Sequence, residues 1–153
     1  MDKRVFENMI EKLLEKPYII VDILPVRVPD DVPGNYFAVE EYLLQHPQID
    51  GIFERFARFL LKLNCYYDFT AMMFDDDPPI PGPEPEEVFC AVMACIGSDA
   101  GRQLLIYIGS EHTLFVISGD FLHMTVFGAT ESLAYAAEHI ASSEGLYVRE
   151  PEE

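Results

Sequence analysis

The run Arg102–Gly128, RQLLIYIGSEHTLFVISGDFLHMTVFG, holds three β-branched and aromatic segments with only a few residues between them. Connections as short as Gly109-Ser110-Glu111 and Gly119-Asp120 leave no room for a crossover, so consecutive segments must pair as antiparallel hairpins. The predicted strands are Arg102–Gly109, His112–Ser118 and Phe121–Gly128. An isolated meander is marginal in water, so the rest of the chain has to cover it.

Helical patterns supply that cover. Val5, Phe6, Met9, Ile10, Leu13 and Leu14 repeat at helical spacing and predict a helix over residues 3–15, ending before Pro17. The clearest stripe is Ile49, Ile52, Phe53, Phe56, Phe59, Leu60 and Leu63, with Glu54, Arg55, Arg58 and Lys62 on the opposite face. Tyr36–Gln45 reads as a short helix capped by Asn35. Val88–Ile96 is continuously apolar and fits either a buried strand or a buried helix. Pro85, Glu86 and Glu87 just upstream favour a helix, because proline and acidic groups suit a first turn, and Gly97 would end it. Thr130 caps a last helix, Glu131–Glu144, closed by Gly145. Tyr18–Leu24, Cys65–Phe74 and Leu146–Glu150 read as further strands.

Mixed elements around a meander predict one α+β domain over residues 1–150. Its sheet is mainly antiparallel, with a central three-stranded meander at 102–128 and about five helices packed mostly on one face. Residues 151–153 read as a frayed tail.

Charge narrows the function. The 153 residues carry a net charge of −17, unevenly spread. Residues 1–64 hold 8 basic and 11 acidic groups (−3), and residues 65–153 hold 2 and 16 (−14). Phosphate backbones and anionic lipid surfaces are both repelled by such a surface, so neither nucleic acid nor membrane is an expected partner. A basic protein is steered towards it. The N-terminal segment is charged throughout, without a signal peptide's apolar core, which predicts a cytoplasmic protein. Cys65, Cys90 and Cys95 form no CxxC pair and sit among apolar residues, so reduced, buried thiols are expected.

Chemical motifs are scarce. Asp75, Asp76 and Asp77 are adjacent, so their side chains diverge instead of converging on a cation. His46, His112, His123 and His139 fall on separate elements without metal-ligand spacing. There is no GxSxG elbow and no glycine-rich phosphate loop. No metal and no cofactor are therefore expected. Two acids do interrupt predicted strands, Asp22 in Tyr18–Leu24 and Asp68 in Cys65–Phe74. With His123 they form a candidate ligand site, and pairing with Arg27 or Arg102 is the structural alternative.

FDDDPPIPGPEPEEVF, residues 74–89, is the other notable stretch, an acidic proline-rich loop at 75–87. Prolines hold it extended and lower the entropy cost of docking; a plain spacer between strand and helix has the same composition. As a docking surface it offers Asp75, Asp76, Asp77, Ile80, Glu84 and Glu86, with Tyr66 and Met72 beside it. Two function classes survive. One is a small acidic, non-enzymatic interaction module (inhibitor, adaptor or chaperone-like) that binds a cationic protein. The other is a small enzyme or ligand-binding domain using Asp22, Asp68 or His123. Homodimerisation through a sheet edge or the Phe-rich helical face is a further expectation to test.

Overall fold

The helical stripes become α1 (Lys3–Leu13), α2 (Tyr36–Gln45), α3 (Ile52–Asn64), α4 (Pro85–Cys95) and α5 (Glu131–Ser143). The strands are β1 (Tyr18–Asp22), β2 (Thr70–Met72), β3 (Ile80–Pro81), β4 (Gln103–Ile108), β5 (Thr113–Ser118), β6 (His123–Phe127) and β7 (Tyr147–Arg149). They form one sheet in the order β3-β2-β4-β5-β6-β1-β7, with every neighbouring pair antiparallel. The computed structural model describes residues 2–28, 34–46, 48–73, 77–96, 102–119 and 122–151. The expected roles of Gly97, Asp120 and Phe121 lie outside the described residues.

Strand β4 explains the layering. Leu104, Leu105, Ile106, Tyr107 and Ile108 are all buried, so the sheet needs cover on both faces. Leu104, Ile106 and Ile108 point to the larger core, where α3, α4 and α5 contribute Phe53, Phe56, Leu60, Val88, Val92, Leu133 and Ala137. Leu105 and Tyr107 point the other way, onto Phe6, Ile10 and Leu13 of α1. The helices are thus divided between two faces: α1 occupies the second one, because its apolar stripe meets the alternate residues of the central strands. Helix α2 buries none of its residues.

Local chemistry sets the helix ends. Thr130 accepts a hydrogen bond from the Leu133 N–H, and the Glu84 N–H donates to Glu87 at the start of α4. Helix α5 closes with paired bonds, Gly145 N–H to Ser142 O and Leu146 N–H to Ala141 O, with Gly145 at φ +73°. Asn35 stands at the N-cap position of α2, but its side chain makes no capping hydrogen bond.

Three elements and two thiols depart from expectation. Strand β1 ends at Asp22, two residues short of the expected Leu24, and its first residue is exposed. The segment Cys65–Asp68 is not strand: the N–H groups of Cys65, Tyr66 and Tyr67 bond back to Lys62 and Leu63, leaving a short β2. The proline segment contributes strand β3, whose Ile80 and Pro81 pair with Ala71 and Thr70. Proline is tolerated there because β3 is the edge, and its missing N–H faces no neighbour. Of the thiols, Cys95 is buried and donates to Arg102 O, whereas Cys65 and Cys90 are exposed, against the expected burial of all three. Among the described residues no helix is long and apolar enough to cross a membrane.

Candidate functional site

Asp22 is the last residue of β1 and is buried. The β1–β6 register puts it directly opposite His123, and the β1–β7 register puts Arg149 diagonally across on the same sheet face. Both carboxylate oxygens are occupied. Oδ2 accepts from Arg149 Nη2 at 2.9 Å and Nε at 3.3 Å, and Oδ1 accepts from the Ile23 and Leu24 N–H groups at 2.7 and 3.4 Å. The partner of Asp22 is therefore an arginine, in line with the structural alternative, but it is Arg149 and neither Arg27 nor Arg102, the two that the sequence offered as candidates. Arg27 lines the same cleft instead.

Helix α2 closes the group from the side. Its half-buried residues Tyr36, Glu40, Leu43 and Leu44 follow helical spacing and face inward. The Tyr36 hydroxyl donates to Glu40 Oε2 at 2.9 Å, and the same oxygen accepts from the Leu122 N–H at 3.5 Å. Leu43 and Leu44 rest against the larger core. Burial, together with the Glu40 hydrogen bond and charge, pushes the Tyr36 hydroxyl well above its usual pKa. Burial also pushes the His123 imidazole below its usual value; Asp22 and Glu40 pull it up, and Arg149 pushes it down. His123 is therefore a neutral donor–acceptor at pH 7.

The outward face of α2 is apolar. Phe37 is 79% exposed, and Ala38, Val39 and Tyr42 are exposed beside it. Tyr42 stacks on His46 with ring centroids 4.1 Å apart, while His46 Nδ1 lies 2.8 Å from the Tyr42 carbonyl oxygen. The aromatic ring is thus held in place without being covered.

The sequence-derived candidates fall at opposite sheet edges. Asp22 and His123 come together, but Asp68 is exposed just before β2. Strands β2 and β1 are four inter-strand spacings apart, on the order of 19 Å, so the two acids form no pair. On the β3 side, Met72 is buried against α1, whereas Tyr66, Glu84 and Glu86 are exposed. Ile80 is half-buried in β3, and Asp77 is half-buried shortly before it; Asp75 and Asp76 lie outside the described residues. Pro79 and Pro83 are buried, and Gly82 N–H bonds Phe69 O at 2.9 Å. This segment builds the sheet edge and opens α4, so deleting Pro78–Pro85 also removes structure.

Tyr36, Glu40 and Arg149 were not singled out by the sequence. Arg149 had a usable signal: it is a lone cation in a terminal strand, matching the lone anion in β1. Among the described residues no cluster of three or more His, Cys, Asp or Glu is arranged to hold a metal ion. No family model matches the chain, and neither a curated protein nor a solved structure is significantly similar to it.

Proposed function

We propose that this chain is a protein-binding module, not an enzyme, and that it docks a basic protein on the outer face of α2. The observation that carries this reading is the exposed set Phe37, Val39 and Tyr42 on a helix with no buried residue. An apolar helix face turned to solvent costs solubility and marks an interaction surface. Aromatic side chains are the usual energetic anchors of interfaces, and the Tyr42–His46 stack reduces the entropy lost on docking. The partner's charge follows from the field. Helix α2 carries Glu40 and Glu41 and no Lys or Arg, on a molecule of net charge −17. Asp77, Glu84 and Glu86 at the other edge add to that field and speed the encounter with a cation-rimmed surface. The non-catalytic reading is supported by Asp22, whose two oxygens are both taken by structural donors.

The test is site-specific photocrosslinking in the producing cells from position 37 or 42, with position 135 on α5 as control. A basic protein captured from α2, released by moderate salt and lost at least about tenfold in Phe37→Ser, supports the reading. Capture of acidic proteins, identical capture from position 135, or self-crosslinking of the chain overturns it.

A further inference from the structure

An open sheet has two outer edges, and this chain treats them differently. Strand β3 ends in Pro81, between Pro79 and Pro83, so it offers an incoming strand almost no N–H groups. Strand β7, at the other end, carries none of the usual guards. Tyr147-Val148-Arg149 holds no proline, and its one charge is taken up by Asp22. One side of β7 pairs with β1, and no described strand pairs with the other. The Leu146 N–H to Ala141 O bond and the Arg149–Asp22 pair hold β7 in place, so a partner strand meets a pre-ordered template. The surroundings are acidic. Helix α5, which packs beside β7, exposes Glu131 and Glu138 and has no Lys or Arg. The α3 cations Arg58 and Lys62 that reach the end of α5 are bound to Glu144. Past the last residue of β7, Ile19, Val126 and Ala129 form an apolar floor in a cavity of about 400 Å³. Among the described residues Glu150 is the one charged group in its lining. An apolar floor ending in a carboxylate suits the aliphatic stem and cationic head of a lysine or arginine side chain.

We propose that the outer edge of β7 takes an extended, lysine- or arginine-bearing segment of a partner protein as a further strand, with a cationic side chain at Glu150. Main-chain hydrogen bonds hold such a segment, and pockets for its side chains select it. A second copy is the poorer occupant, because it would bring Glu138, Glu150 and a net charge of −17 against their like. Tyr36 of α2 and Arg149 of β7 line one cleft, so a single partner reaches both surfaces. The inference rests on the docking reading for the partner's charge only; the strand contact itself does not need Phe37.

The experiment is an NMR titration of the whole isotope-labelled protein with a peptide of alternating Lys and Val. Its controls are the Glu–Val counterpart and the Lys–Val peptide N-methylated at alternate amides. Saturable shifts and slowed exchange of the amides in Tyr147–Arg149 are expected with the Lys–Val peptide alone. N-methylation should weaken binding about tenfold, through lost main-chain hydrogen bonds. Glu150→Gln, at an exposed position, should weaken it about threefold. Phe37→Ser should leave it unchanged, whatever crosslinking on α2 returns, which separates the two readings. Equal binding of either control peptide, shifts confined to α2, unchanged affinity in Glu150→Gln, or self-association that moves the same amides without peptide overturns the proposal.

Discussion

Arg149 donates from Nε and Nη2 to Oδ2 of Asp22 across the β1–β7 pair, and this ion pair joins residues 127 positions apart. The side chains are 16% and 6% exposed, so neither charge is well hydrated without the other. Replacing Arg149 by Met leaves a buried carboxylate and should cost about 3–5 kcal/mol. The double variant Asp22→Leu/Arg149→Met should recover most of that loss, because an apolar pair has no charge to desolvate. Urea unfolding of the four proteins in the cycle checks both statements.

His123 faces Asp22, Glu40 and Arg149, and burial sets its net shift downward. A lowered folded pKa means that the unfolded chain takes up the proton first as pH falls. The stabilisation is fully present above the unfolded value of about 6.5 and is lost as pH falls through the folded pKa. His123→Gln should flatten the stability profile in that window. The measurement is unfolding free energy against pH for both proteins, with the imidazole titrated by NMR.

Glu144 ties the end of α5 to α3 through Arg58 Nε and Lys62 Nζ, each at 2.7 Å. Burial raises its pKa, but the hydrogen bonds and charges of Lys62 and Arg58 outweigh burial and hold the carboxyl below its usual value. This contribution is present above the unfolded carboxylate pKa and fades as pH falls through the folded one. Glu144→Gln should cost about 1–3 kcal/mol at neutral pH and less in acid. Chemical denaturation at the two pH values separates these outcomes.

Phe37 and Phe56 test the division between surface and core. Phe37 is 79% exposed and Phe56 is buried in the larger core. Phe37→Ser should change stability by no more than about 0.5 kcal/mol, and Phe56→Ala should cost about 3–5 kcal/mol. Thermal melts of both variants decide the matter, and a large loss in Phe37→Ser would mean that α2 is more deeply engaged than its exposure indicates.

Glu87 accepts the Glu84 N–H at 2.9 Å and thereby opens α4. Glu87→Ala should cost about 0.5–2 kcal/mol, the usual value of a lost cap. Circular dichroism melts check it, with Glu86→Ala as the control that removes an acidic neighbour without the hydrogen bond.

Legibility followed locality. Helices α1, α3 and α5 could be read because their stripes lie within a few turns, and β4 to β6 because short connections dictate their pairing. Strand β3 could not, since a proline-rich pair becomes strand only when β2 offers it an edge. The aromatic run after α3 looked like strand because aromatic content is a weak signal; its N–H groups were already taken by the end of the helix. Asp22 and His123 were visible as lone polar residues in apolar runs, but their neighbours Arg149, Tyr36 and Glu40 arrive from distant elements.

What the amino-acid order determined by itself is the α+β class, the polyanionic character and most helix boundaries, because these rest on periodicity, caps and summed charge. What the tertiary structure alone decided is the partner of Asp22, the two-sided cover of the sheet and the outward turn of Phe37 and Tyr42. Register and packing between distant segments select among several burial patterns of similar local energy, and no short stretch of chain carries that information.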